Sequence, residues 1–276
     1  MRKAISTYVF VRSRLHPGML DRLVQSGAEA IEIFAARGHF DYTDRQQMKE
    51  IANWFKHSGV PLNSLHAPVY IDADWGRTGS PAINLVDNDK GRRVSSMDEI
   101  KRALEVAELI PISFLIQHLG TAGEEFDPEK FEHALSSIEH LHAFAKPLGV
   151  KVLLENIPNE IAAPQKLLEL IATLHLDDLG VCFDFGHAHI MSSVEEAFQI
   201  LKKHIRSTHV HDNLKEKDTH LFPGEGNIDW KQAMALLREA PHIPPLLIEA
   251  DGEGRKDIWE KFPESFRVLE EAGVRS

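Results

Sequence analysis

The feature that most limits what this chain can become is an alternation repeated along its whole length. Short apolar runs rich in β-branched and aromatic residues are each followed by a longer stretch of helical periodicity. The runs cover residues 4–11, 30–35, 61–68, 114–120, 151–158, 179–185, 205–213 and 245–251. The helical stretches between and after them end at Gly27, then cover residues 44–59, 96–110, 128–149, 164–176, 194–204, 230–240 and 257–271. Asp44, Asp127 and Ser193 stand where helix-capping side chains are expected. Strand–helix alternation of this kind predicts a parallel sheet. Eight such units in 276 residues predict a single closed (β/α)₈ barrel spanning residues 1–276. The competing architecture, a doubly wound open sheet, would carry a glycine-rich phosphate turn after its first strand. Here that place reads VRSRLHPG, which is neither a dinucleotide fingerprint nor a phosphate loop.

Composition narrows the class further. The chain is 43% hydrophobic and 26% charged, and its formal net charge is -11. An acidic balance argues against broad nonspecific binding of nucleic acid, although a local basic patch can act within an acidic whole. Cys182 is the one cysteine, so no internal disulfide can form and a reducing, cytoplasmic setting is expected. No run of about twenty apolar residues occurs, so no membrane span is expected. The polar segment from the third strand to about Ser95 holds Trp75, Gly76, Gly79, Pro81, Arg92 and Arg93. It is too long for a simple connection, so it is expected to be a functional loop, with Trp75 walling a pocket.

In a barrel of this kind the active site lies at the carboxyl ends of the strands. The third strand ends at His66, the fourth at His118, the fifth at Glu155, and the sixth at Asp184, after which Gly186 is expected to break the run before His187. The seventh ends at His209 and His211, with Asp218 and His220 in its loop, and the eighth at Glu249 with Asp251 beyond. Strand residues two apart share a face, so Leu153 with Glu155, Cys182 with Asp184, and Leu247 with Glu249 each form an inward pair. A buried carboxylate needs a partner or a metal. Mixed imidazole and carboxylate donors suit Zn²⁺, Mn²⁺, Fe²⁺ or Co²⁺ better than Ca²⁺. Two glutamates on different sides of the mouth can hold a metal and also move protons on opposite faces of a bound sugar. A metal there would polarise a carbonyl and stabilise an ene-diolate. Taken singly, each histidine reads more readily as packing or surface, and the signal is their coincidence at strand ends. His189 and His211 are candidate partners that orient ligands.

The motifs LHAP, QHLG, LLENIP, VCFDFGHAH, THVHDN, DTHLFPGEGNIDW and LLIEAD carry a family resemblance. The chain resembles the xylose isomerase-like TIM barrels, which include sugar isomerases and epimerases together with endonuclease IV. The resemblance implies a metal site of Glu155, Asp184, His209 and Glu249, with Mn, Zn, Mg, Co or Fe as the ion. It implies that Glu155 and Glu249 are also acid and base, and that His187, His66 and His118 contact substrate. In endonuclease IV three zinc ions are bound, and the added ligands match His66, His118, His187, Asp218 and His220. All nine positions are filled in this chain.

Two activities follow from the resemblance. One is a metal-dependent isomerase or epimerase of a sugar, polyol or sugar phosphate. The alternative is a zinc-dependent phosphodiesterase acting on abasic DNA. Glu32, ending the second strand in IEIFA, resembles the sugar-isomerase side, while AARGHFDYTD and APVYIDADWG look unlike DNA-intercalating loops. A barrel without activity, serving as a binding module, is disfavoured by the ligand set. The expected partner is a small sugar-like molecule; nucleic acid is disfavoured, a membrane is not expected, and a homo-oligomer is left open. His187 discriminates: contact with a sugar points to isomerisation, and joining Asp218 and His220 around a further ion points to hydrolysis.

Overall fold

The computed structural model describes residues 1–71 and 80–274, so Trp75 lies outside the described residues. Eight parallel strands form one sheet: β1 (Lys3–Ser6), β2 (Ala30–Phe34), β3 (Leu62–His66), β4 (Ile112–Gln117), β5 (Lys151–Glu155), β6 (Gly180–Asp184), β7 (Ile205–His209) and β8 (Leu246–Ile248). Pairing runs in order from β1 to β7, and β8 lies against β1. The ring closes just past β7, where Val210 N–H donates to Leu247 O at 2.8 Å and Glu249 N–H donates to Val210 O at 3.2 Å. The result is the (β/α)₈ barrel that the alternation predicts.

Helices α1 (Pro17–Gln25), α2 (Arg45–Ser58), α3 (Lys90–Leu104), α4 (Pro128–Ala145) and α5 (Pro164–Leu174) connect the first six strands. The rest are α6 (Phe185–Met191), α7 (Val194–Leu201), α8 (Trp230–Leu237) and α9 (Ile258–Ala272). Local chemistry sets several starts: the side chains of Asp44, Asp127, Ser193 and Asp229 each accept from first-turn amides. Alternate strand residues divide the core in two. Ile5, Ile31, Ile33, Leu65, Leu115, Val152, Leu154 and Phe183 join the large cluster under the helices. Inside the barrel lie two small clusters, Ala4–Ala30–Leu247 and Ile116–Leu153–Cys182. These form its apolar floor.

Among the boundaries that differ from the expectation, three bear on the site. The first strand stops at Ser6, and Thr7–Phe10 forms a 3₁₀ turn whose start is capped by Ser6 Oγ, which accepts from Tyr8 N–H at 3.2 Å. β-rich composition hid that turn. The long segment after β3 ends at Asp89, which caps α3, so the helix starts at Lys90, six residues before the expected start at Ser96. Gly186 does not break the chain after β6: it lies inside α6, capped by Asp184. The glycine is needed for space, since a Cβ there would stand 2.0 Å from the His211 ring.

Candidate metal centre and its surroundings

The upper barrel layer is polar where the floor is apolar. Glu155, Asp184 and His209 are fully buried and Glu249 nearly so. Each offers one donor atom, and these four atoms lie within 4.8 Å of one another. His209 Nδ1 stands 3.1 Å from Glu155 Oε1 and 3.3 Å from Glu249 Oε2. The alignment is nevertheless wrong for hydrogen bonds. His209 Nδ1, Glu155 Oε1 and Glu249 Oε1 are buried without a hydrogen-bond partner. Buried donors and acceptors are rarely left so. Converging lone pairs from three carboxylates and an imidazole are what a divalent cation requires, so these residues fit one.

Neighbours fix the set. His209 Nε2 lies 3.2 Å from Glu32 Oε2, and Ser64 Oγ donates to that same oxygen at 2.6 Å. Glu32 thereby settles the ring and leaves Nδ1 facing the centre. Asn156 grips Asp184 twice: its Nδ2 donates to Asp184 O at 2.9 Å, and its Oδ1 accepts from Asp184 N–H at 2.9 Å. Asp184 Oδ1 accepts from His187 N–H at 2.6 Å, and His211 Nε2 lies 3.1 Å from Oδ2. Burial pushes the Glu155 carboxyl up, but His209 and His118 outweigh it and hold it well below the usual carboxylate range. Burial raises Glu249, and the charge of Glu155 adds to that rise.

A second group adjoins the first. His66 Nε2 and His118 Nε2 approach Glu155 Oε2 at 3.4 and 3.0 Å. His187 Nε2 lies 3.0 Å from Asp218 Oδ2, and His220 Nε2 lies 3.2 Å from the same atom. His187, His211, Asp218 and His220 form a further set whose donor atoms lie close enough to share an ion. Burial alone would lower His220, yet Asp218 raises it to about 9. These two residues ride on a loop anchored by Asp212. That buried carboxylate accepts from Gly224 N–H, Ile228 N–H and Trp230 Nε1–H at 2.9, 3.1 and 2.9 Å. This arrangement accounts for the HDN and PGEGNIDW motifs; a Cβ on Gly226 would stand 2.3 Å from Asp212 Oδ1.

The nine residues of the ligand set that the resemblance implies therefore meet in one region. Trp75 lies outside the described residues. His211 sits on Asp184 as an orienting partner, whereas His189 points to Asn227 Oδ1 at 2.8 Å and does not reach the centre. Sequence reasoning missed Tyr8 and Phe34, which line the cavity over the centre together with Val69 and Tyr70. The 3₁₀ turn after β1 brings Tyr8 there, with its ring 5.0 Å from His220. Asn156 was legible only as the residue after Glu155.

The chain is similar to known proteins in sequence and in fold. The uncharacterized protein MJ1311 of Methanocaldococcus jannaschii is 25% identical over 278 residues, 96% of this chain and 90% of that one. A probable endonuclease 4 of Halobacterium salinarum is 25% identical over 210 residues, 68% of this chain and 75% of that one. The crystal structure of a D-tagatose 3-epimerase-like protein superposes with a TM-score of 0.78 at 22% identity, covering 99% of this chain and all of that one. The family model described as xylose isomerase-like TIM barrel matches residues 20–272. A match over nearly the whole barrel, with the strand-end residues gathered at its mouth, makes this chain a member of the xylose isomerase-like TIM barrel family.

Proposed function

We propose that the protein is a divalent-metal-dependent isomerase or epimerase of a hydroxylated, sugar-like substrate. The observation that carries this reading is the convergence of Glu155 and Glu249 on one centre with Asp184 and His209. Glu155, Asp184, His209 and Glu249 would hold the ion, which when bound would polarise a substrate carbonyl. Glu155 or Glu249 removes the proton from the neighbouring carbon, and the other glutamate returns one from its own side. His66, His118 and His187 surround Glu155 and are placed to hydrogen-bond substrate hydroxyls. Tyr8, Phe34 and Val69 wall the cavity and limit water. Among the described residues, no lysine or arginine lines either cavity at the mouth, which suits a neutral polyol better than a phosphate chain. The related D-tagatose 3-epimerase-like fold is consistent with this chemistry.

A second reading, hydrolysis of a phosphoester at a centre of several ions, is favoured by one specific observation. His187 directs Nε2 to Asp218, which also meets His220. Relatives named probable endonuclease 4 accord with it. Elemental analysis and proton exchange separate the two. One ion per chain, with exchange of a substrate C–H for deuterium in D₂O, is the expected result. Three ions per chain together with cleavage of bis-p-nitrophenyl phosphate would overturn the isomerase reading in favour of the hydrolase.

A further inference from the structure

Asp218 and His220 reach His187 from a loop whose backbone is held under strain. Lys215 and His220 take φ values of 76° and 43°. Residues other than glycine keep that conformation only where their surroundings impose it. On the inner side the end of β8 does so. His220 Nδ1–H donates to Glu249 O at 3.0 Å, and Asp251 N–H donates to His220 O at 2.8 Å. The donors that Asp212 receives from Gly224, Ile228 and Trp230 all lie beyond the strained part.

The outer side is held by Arg255, between β8 and α9. Its guanidinium donates to both oxygens of Glu225, Nη1 to Oε2 at 2.7 Å and Nη2 to Oε1 at 2.8 Å. Nε and Nη2 also donate to the two oxygens of Asp257, each at 3.0 Å. The same guanidinium lies over the Phe222 ring, 5.0 Å from its centroid. Glu225 Oε2 in turn accepts from Phe222 N–H at 3.3 Å. Phe222 is fully buried against Phe262, with ring centroids 5.5 Å apart, and follows closely on His220 in the chain. These partners all lie outside the nine converging residues.

The side chains of Arg255 and Glu225 are each only 24% exposed, so this two-pronged pair is more than a solvated surface bridge. Lys261 Nζ also lies 3.1 Å from Glu225 Oε1. Glu225 therefore has a second cation, and what Arg255 adds is a rigid fork that joins two carboxylates over one ring. We infer that Arg255 is a positioning residue for the mouth. Through Glu225 and Phe222 it fixes the chain that follows His220, and so keeps Asp218 on His187. This role is independent of whether the centre isomerises a sugar or cleaves a phosphoester.

Amide hydrogen exchange and imidazole nitrogen NMR of the protein loaded with an equimolar amount of Zn²⁺ test it. In Arg255→Gln, exchange at Asp251 N–H, the amide bonded to His220 O, should rise about fivefold or more. Exchange at Val210 N–H, which closes the barrel ring on Leu247 O, should stay within about twofold of wild type. The His187 Nε2 resonance should move toward its position in Asp218→Ala, where the acceptor is gone. Arg255→Lys keeps the charge and the fold, yet it should move the same two reporters, because an ammonium lacks the planar fork. A purely structural ion pair would raise exchange at Asp251 and Val210 by the same factor and leave the His187 resonance in place. That result overturns the role of Arg255. So does wild-type behaviour of both reporters in Arg255→Gln, even with a lowered melting temperature, and wild-type behaviour in Arg255→Lys overturns the need for the fork.

Discussion

Leu153 and Glu155 are two residues apart on one face of β5, yet they belong to different environments. The same step separates Cys182 from Asp184 on β6 and Leu247 from Glu249 on β8. Below, the side chains pack as small apolar clusters. Above, carboxylates and imidazoles crowd into contact with several buried polar atoms left unpaired. The difference teaches a division of labour along single strands. The floor contributes transfer free energy and fixes the register; the mouth gives up stability to hold charge where chemistry needs it.

The sharpest way to break this contrast is at the mouth. Glu155→Gln should lower turnover by about 10²–10⁴-fold. It should lower the melting temperature of the metal-free protein, because His209 and His118 lose the carboxylate that they stabilise. Steady-state kinetics and calorimetry check both halves, and full activity would refute the role of Glu155. The mirror experiment is at the floor. Leu153→Ala should cost about 2–5 kcal/mol in urea unfolding. Its metal affinity, read by chelator competition, should stay within a few-fold of wild type.

A third experiment looks outside both layers. His39 is fully buried with Nδ1 on Ser13 O at 2.5 Å, and burial lowers its pKa to about 4. The unfolded chain binds a proton near pH 6.5 that the folded chain resists, so stability is full above that pH and falls as pH drops toward 4. The loss amounts to roughly 3 kcal/mol. His39→Gln should flatten this part of the pH–stability curve of the metal-loaded protein; an unchanged slope would assign the acid sensitivity elsewhere. The smallest effect is expected at the border of the two layers. Glu32→Gln, beneath His209, should weaken metal binding by about 10–100-fold with little change in unfolding free energy. Isothermal titration with Mn²⁺ or Zn²⁺ reads it, and wild-type affinity would remove Glu32 from the support of His209.

Much of the architecture was legible because alternation and strand-end position are local signals. Each of the eight runs overlaps a strand, and period two placed Glu155, Asp184 and Glu249 inward. What escaped depended on geometry that no local pattern carries. Tyr8 reaches the mouth only because a capped turn replaces the end of a β-rich run. Glu32 was legible only as a likeness to the sugar-isomerase side of the family; that it is fully buried and faces His209 required the barrel to be closed. Gly186 read as a breaker because its real constraint, the ring of His211, lies 25 residues away in sequence. His187 was recognised as the discriminating residue, and its bond to Asp218 required the loop after β7 to be placed.

That loop has a consequence for how the protein can change over evolutionary time. Asp212 and Leu221 close its base with paired backbone bonds, Asp212 N–H to Leu221 O at 2.7 Å and Leu221 N–H to Asp212 O at 2.8 Å. Between them lies an outgrowth carrying Asp218 and His220, while the barrel beneath is complete without it. Such a segment behaves as an exchangeable cassette. Rewriting the residues between the two clamps would add or remove donors at the mouth without a single substitution in a strand.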